Sequence, residues 1–542
     1  MDTVGRRSLL AVAVLVSLLC VGGCASQQKA AGDGQNPATA DLGPTIGSLA
    51  TVQGLDPVTL EGYGIVGGLK GTGSADCPPA VRAYLAREIR RRLPERGTLD
   101  VEKFISSMDT AAVLIEGVLP EMPFKNEYFD VKVTALPGTQ TTSLDGGGLL
   151  PAELRLPGSL GVDRRALADA EGPIFIDKIS EGRTDARTGY ILAGGKVLDD
   201  YKIILELRQS DFRITNAVRN LINGRFGQTT AQAVRPGRVE VLVPAQYRYR
   251  PQRFVAMLKA MFLTQEPEAT AQRIKTLVKR LAETQNKYDC EVALEAIGNQ
   301  CLGELQVLLD SPDESVRLSA GRCTLNLGGG AGLAVLRRIA MDKGSAQRQQ
   351  ALEDIGAAAR RDDVAALART LLDDDDFSMR LAAYEQLRKV DDITITQDFV
   401  GRNFYLEQIT RTRKKAIFVS RSGQPRIVLF GAPIRCRDNI FVQSAEGDIT
   451  INSAEGQDNV TLIRGHPKRP SVVAKARSSS KLDDIVKALC QEPPKEGDTK
   501  GGGLGVSYAD AAALLKQMAD KGTVDAEFHA GPLPKIDLNI KK

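Results

Sequence analysis

Leu60-Glu61-Gly62-Tyr63-Gly64-Ile65-Val66-Gly67-Gly68-Leu69-Lys70-Gly71-Thr72-Gly73 is the stretch whose reading decides the fold. Gly62, Gly64 and Gly67 satisfy G-x-G-x-x-G, so a dinucleotide site has to be weighed. That fingerprint needs a helix opening directly after it. Here Gly68, Gly71 and Gly73 follow, and glycine is a poor helix former. The order Lys70-Gly71-Thr72 also breaks a phosphate loop, which wants Gly-Lys followed by Ser or Thr. The segment reads instead as a strand running into tight turns, with glycines where backbones approach closely.

Outward from this stretch the elements alternate. Residues 79–106 are helical in pattern. Thr110–Val118 and Tyr128–Ala135 are strand-like, the second with Phe129, Val131 and Val133 alternating against Asp130, Lys132 and Thr134. Ser143–Leu150 reads as a glycine-rich turn. A strand at Lys202–Leu207 leads to a helix near Asn216–Asn223, with Asp211 and Thr215 as capping residues. A strand Arg238–Val243 and a helix Phe254–Leu263 follow. Tyr247-Arg248-Tyr249-Arg250 looks like an alternating strand rather than a base-stacking element.

Residues 289–390 change to dense Leu/Ala helical patterning with an internal repeat. Ala293-Leu294-Glu295-Ala296-Ile297-Gly298 recurs as Ala351-Leu352-Glu353-Asp354-Ile355-Gly356, an offset of 58. Leu308–Ala320 recurs as Leu371–Ala383, an offset of 63, and Arg317, Arg348 and Arg380 are separated by 31 and 32 residues. An acidic turn followed by a helix with an early arginine looks like HEAT-type helical hairpins, which bury their apolar stripes against neighbours. The Asp373–Asp376 run fits such a turn and lacks calcium-loop spacing. Beyond residue 413 a β pattern returns at Ala416–Val419, Arg426–Phe430, Ile440–Gln443, Ile449–Ile451 and Val460–Ile463. Helices at Lys481–Leu489 and Tyr508–Lys521 close the chain.

The first residues read as an address. Arg6 and Arg7 precede an apolar run from Leu9 to Val21, an export signal rather than a span. Val21-Gly22-Gly23-Cys24 resembles a lipoprotein cleavage box with Cys24 as the acylated residue. The Gln-, Ala- and Gly-rich residues that follow suit a flexible tether. No later stretch has the roughly 18–20 apolar residues of a membrane span.

Composition narrows the chemistry. The chain has 542 residues, no tryptophan and only two histidines, His466 and His529, both expected in surface or loop positions. That argues against His-based metal sites and Ser-His-Asp or Cys-His catalysis. The net charge of +4 lacks the basic excess of a nucleic-acid binder. Six cysteines remain beyond the lipobox: Cys77, Cys290, Cys301, Cys323, Cys436 and Cys490. They are open to disulfides in an oxidising compartment or to buried thiols. Charge is segregated. Residues 289–400 hold 12 basic and 20 acidic residues, net −8, while 401–480 hold 14 and 6, net +8. Complementary blocks of this kind favour register between the helical part and the basic β part, of the same or a neighbouring subunit.

Several ordered blocks together resemble the flagellar P-ring protein family of bacterial basal bodies. The Gly62-Tyr63-Gly64 then Gly67, Leu69, Gly71, Thr72, Gly73 pattern is similar to that family's most specific motif. Ile46–Gly54, Phe129–Thr134 with Ser143–Gly147, and Asp211-Phe212 with Ala217 and Ile222-Asn223 look like further family blocks. Ser420-Arg421-Ser422-Gly423 resembles part of its Asn-Glu-Arg-Thr-Gly hairpin, and Leu482–Leu489 with Ala511–Phe528 its closing helices. The resemblance implies an α+β, multi-domain, ring-forming protein, here with an inserted all-α HEAT-like repeat domain and a β-rich C-terminal part. The expected division is a lipoprotein signal peptide over 1–23 and a tether over 24–44. A P-ring-like body over 45–265, a HEAT-like insertion over 266–412 and a P-ring-like β-rich and helical region over 413–542 follow. It also implies a non-enzymatic subunit of a homo-oligomeric periplasmic ring, a bushing around the flagellar rod working with the outer-membrane L ring near peptidoglycan. No cofactor, metal or nucleic acid is implied, and the lipid would tie the chain to the outer membrane. The rival expectation is an envelope lipoprotein scaffold that binds protein partners through its repeats.

Overall fold

The computed structural model describes residues 36–92, 100–158, 165–180, 182, 185–437, 439–456, 459–466, 469–493 and 502–536. The export signal and Cys24 lie outside them. The fold is mixed α+β.

The glycine-rich stretch is one stave of a closed six-stranded barrel. Strand Thr59–Gly67 pairs along its whole length with Thr110–Val118, which pairs with Tyr128–Ala135. The order continues through Thr188–Val197 and Ala168–Pro173 to Gly148–Leu154, which returns to Val66 and Gly67. The alternation of Phe129, Val131 and Val133 places all three in the interior, with Ile115, Leu149, Leu154 and Ile191. Ser143–Leu150 is a turn only to Gly147; strand pairing begins at Gly148, because barrel closure needs those residues as a sixth stave. Helix Pro79–Arg92 covers the outside through Val81, Tyr84 and Leu85.

A second sheet joins Ala50–Gln53, Ile203–Leu207, Arg238–Val241 and Ala231–Arg235. Helix Phe212–Phe226 begins four residues before the sequence pattern suggests, because the Asp211 carboxylate accepts the Arg213 N–H at 2.6 Å and caps it there. Tyr247–Arg250 is not a strand. Ala245–Tyr247 is a short 3-10 turn, and Tyr247 packs against Phe226 and Phe254 instead of presenting an alternating face.

The helical stretch, expected over 266–412, runs from Pro267 to Lys389, and the remainder is β: Ile395–Val400 pairs with Phe404–Ile409. The repeat is structural as well as sequential. Asp313 and Asp376 each cap the following helix by accepting an N–H two residues on, at 2.8 and 2.9 Å. Arg317 donates to the carbonyls of Ser311 and Pro312, and Arg380 to those of Asp374 and Asp375. Each arginine thus ties its helix to the turn before it. This block does not stand apart from the body. Cys290, Val292, Leu294, Val316 and Cys323 share one continuous core with Ile203, Val218, Phe254 and Leu258. Nor are residues 36–44, expected in the tether, loose. Thr39 is fully buried, Asn36 bonds the Asp289 carbonyl at 2.9 Å, and Arg280 forks onto Asp41 at 2.8 and 2.6 Å.

The C-terminal part is layered. A five-stranded sheet is ordered Ile395–Val400, Phe404–Ile409, Arg426–Phe430, Ala416–Val419 and Glu527–Ala530, and its strands Arg426–Phe430 and Ala416–Val419 are buried on both faces. Ala416, Phe418, Val428 and Phe430 face the helical repeats. Ile417, Val419, Ile427 and Leu429 face helices Leu482–Cys490 and Tyr508–Asp520. Those helices in turn carry a four-stranded antiparallel sheet, Ile440–Gln443, Ile449–Ser453, Asn459–His466 and Arg469–Ser479. Both histidines sit on strands rather than loops, and the His529 ring stacks on Phe377 at 3.6 Å. All six cysteines are free thiols, four of them buried. Burial pushes Cys290 up to about 11, and Cys301 and Cys436 up to about 12. Among the described residues no helix is long and apolar enough to cross a membrane.

Candidate functional site

The motif residues occupy a strand and the turn that leaves it. Gly62 lies where the chain crosses Glu153–Arg155, and Glu61 exchanges two backbone bonds with Arg155 at 2.8 and 2.9 Å. A Cβ on Gly62 would stand 2.4 Å from the Glu153 carbonyl oxygen, which a strand partner cannot yield. Gly64 faces the interior against Leu149 and Ile115. Tyr63 alternates outward and meets Tyr84 edge-on at 6.5 Å. Gly67 ends the strand and Leu69 is buried beneath the turn. Gly68, Lys70 and Gly71 all have positive φ, and Gly71 at +89° takes the conformation that glycine adopts without strain. The Thr72 hydroxyl then donates to the carbonyls of Leu69 and Ser143, both at 2.9 Å, and the Thr72 carbonyl accepts from Thr142 N at 2.9 Å. Gly73 N bonds the Met108 carbonyl at 2.9 Å. The motif therefore fastens the turn to the barrel rim.

That rim forms one wall of an open cleft of about 1060 Å³, with Gly68, Lys70 and Thr72 on one side and Tyr405, Tyr508 and Asp510 on the other. Polar contacts cross from the barrel and its Lys178 loop to the C-terminal layers. Lys178 Nζ lies 2.7 Å from Asp145, 2.6 Å from Asp510 and 3.5 Å from Glu446. Burial alone would push this ammonium down. Asp510 and Asp145 override that and hold it well above its ordinary range, so it is a fixed cation and not a base. Arg421 pairs with Asp177 at 3.1 Å and donates to the Gly531 carbonyl at 2.6 Å. Asp130 accepts the Gly423 N–H at 3.0 and 2.9 Å and the Ala193 N–H at 2.7 Å. Burial pushes Asp130 up, against the pull of those N–H groups. The buried Tyr508 hydroxyl donates to the Ser420 and Arg426 carbonyls at 2.7 and 2.8 Å.

This arrangement can lock two layers; it presents no nucleophile beside a base. Among the described residues no group of three or more His, Cys, Asp or Glu is placed to hold a metal ion. Sequence reading singled out the motif, and the Ser420–Gly423 and Ser143–Gly147 blocks, but not that they meet at one seam. Lys178 and Tyr508 were missed, and no local pattern marks either; the signal was only that Asp145 and the closing helix fell in separate family-like blocks. Asp130→Ala leaves two backbone N–H groups without their acceptor. It is expected to cost about 2 kcal/mol in urea unfolding; an unchanged midpoint would show the seam is held elsewhere.

Comparison with known proteins matches residues 45–274 to the flagellar P-ring protein family. The chain is similar to the flagellar P-ring protein of Desulfotalea psychrophila, 29% identical over 242 residues, covering 41% of this chain and 60% of that protein. The Aquifex aeolicus protein is 29% identical over 220 residues, 38% of this chain and 58% of its own. The Rhodopseudomonas palustris protein is 27% identical over 300 residues, 52% and 75% respectively. The chain spans about three fifths of the length of the first of these relatives. The matched span holds the whole barrel, the motif strand and the capped helix Phe212–Phe226. Residues 45–274 therefore carry the sequence pattern of the flagellar P-ring protein family.

Proposed function

We propose that this protein is a structural subunit of the periplasmic P ring of a bacterial flagellar basal body, a bushing around the rod. The observation that carries the reading is the match over 45–274, which includes the motif that pins the cleft-side turn to the barrel. A bushing needs rigid subunits that close by head-to-tail contacts, and a closed barrel locked to a layered sheet suits that need. The subunit works without catalysis or cofactor, beside the rod and the outer-membrane L ring near peptidoglycan. In this reading Cys24 carries the lipid that holds it to the outer membrane, Gly62–Gly73 is a structural motif, and residues beyond 266 include a HEAT-like insertion. A second reading, an envelope scaffold that recruits proteins through its repeats, is favoured by Val307, a repeat residue 76% exposed. Electron microscopy of basal bodies from cells with and without the gene separates them. Loss of the periplasmic ring and of motility is the expected result. Intact rings in the deletion strain would defeat the ring reading.

A further inference from the structure

Part of the basic block lies against the acidic repeats and part lies beyond them. The acidic helical repeats cover one face of the five-stranded sheet. The four-stranded sheet Ile440–Ser479 lies beyind the helices that cover its other face. Some charge is spent at the junction, where Lys414 meets Asp375 at 2.8 Å and Arg426 meets Glu385 at 3.1 Å.

The four-stranded sheet buries Ile440, Val442, Ile449, Ile451, Val460 and Leu462. Its opposite face is uncovered. Strand register sets two rows across all four strands there. One is Phe441, Asn452, Thr461, Arg477; the next is Gln443, Thr450, Ile463, Lys475. Neither row contains a carboxylate. Phe441 is 60% exposed, and neither Lys475 nor Arg477 has an ion-pair partner among the described residues. Val473, 44% exposed, lies on the same face two residues from Lys475, so Phe441 is not a lone apolar side chain there, and apolar side chains beside unpaired cations suit a contact surface.

The acidic repeats offer the complement. Asp310 and Asp342 are both exposed and lie 32 residues apart, one repeat period; Asp373, 31 residues further on, accepts the Arg413 N–H at 3.1 Å and belongs to the junction. Apolar side chains accompany them. Met341 adjoins Asp342, and Val307 shares a face with Asp310, because positions three apart eclipse in the 3-10 turn Gln306–Asp310.

We propose that the outer face of the Ile440–Ser479 sheet docks a second copy of this chain, seating the aspartate ridge of that copy's repeats against Lys475 and Arg477. The two surfaces differ, so the contact is head-to-tail and propagates from copy to copy until it closes. Opposite charge fixes register and speeds encounter, and salt weakens both. This inference rests on the ring-subunit reading and names the contact through which the subunits join.

The test is sedimentation velocity on the purified full chain at low and high salt. Wild type is expected to self-associate at low salt and to dissociate as salt rises. Lys475→Glu/Arg477→Glu and Asp310→Lys/Asp342→Lys are each expected to weaken association about tenfold or more. An equimolar mixture of the two variants is expected to recover it, since each copy then offers the other an opposite partner. All four side chains are at the surface, and unchanged circular dichroism and melting confirm folding. A monomeric wild type at every salt concentration, variants that associate like wild type, or a mixture that does not recover would each overturn the proposal. So would a Lys475→Glu/Arg477→Glu variant that self-associates normally and loses only its binding to an acidic polymer such as polyglutamate. Charge-dependent association without rings at flagellar bases would instead defeat the P-ring reading and leave this contact standing.

Discussion

Arg253→Ala is expected to lower stability by about 3–5 kcal/mol, the range for removing one partner of a buried ion pair. Arg253, on helix Pro251–Ala260, is buried and donates to Glu295 at 2.9 and 2.6 Å and to Glu291 at 3.0 Å. Arg322 meets the same Glu291 and also Asp354 at 2.7 Å. Asn326 donates to Glu295 at 2.7 Å. Without Arg253, two carboxylates with almost no solvent contact lose their shared fork, and alanine supplies no donor. Arg253→Lys is expected to recover only part of the loss, because an ammonium cannot fork between two acids as a guanidinium does. Chemical unfolding of the full chain measures both.

The same network sets an acid limit. Burial pushes Glu291 up, but Arg322 and Arg253 outweigh it and hold the carboxyl below its usual 4.5. A depressed carboxyl contributes stability that is complete above its unfolded value and lost as pH falls through the folded one. Wild type is therefore expected to destabilise below about pH 4.5, while the Arg253→Ala deficit shrinks there as Glu291 becomes neutral. A deficit that does not shrink with falling pH would show that lost packing, and not charge, is what the substitution removes.

Gly73→Ala is the second large effect, expected to cost about 3 kcal/mol or more. A Cβ there would stand 2.1 Å from the Thr110 carbonyl oxygen and 2.7 Å from that of Met108. Both are backbone atoms of the segment that starts the next barrel strand, so neither can rotate away. Ser74 N also bonds the Thr110 carbonyl at 2.9 Å, fixing the approach. Gly67, in the same motif, is the control. A Cβ there meets nothing within 4 Å, so Gly67→Ala is expected within about 0.5 kcal/mol of wild type. Equal losses for the two glycines in thermal melting would contradict this account of the motif.

Sequence by itself determined what depends on neighbours along the chain. Strands Thr110–Val118, Tyr128–Ala135, Ala416–Val419 and Arg426–Phe430 lie where their patterns place them, because alternation in Tyr128–Ala135, short apolar runs in the others and the turn residues between them are local signals. The glycine motif was legible as strand and turn, and the repeat was legible as spaced arginines and acidic turns. Only the tertiary structure decided what those elements close against. Ser143–Leu150 looks like a turn until a barrel needs a sixth stave, and Thr188–Val197 carries glycines that local propensity counts against a strand. The repeats look separable until Glu291, paired with Arg322, is found paired with Arg253 of the body as well. The opposed charge blocks, adjacent in sequence, meet at the five-stranded sheet, where Lys414 pairs with Asp375 and Arg426 with Glu385, while Lys475 and Arg477 are carried beyond the helices that cover its other face. Spacing in a chain fixes which residues share a face; which faces meet is decided by burial of the whole.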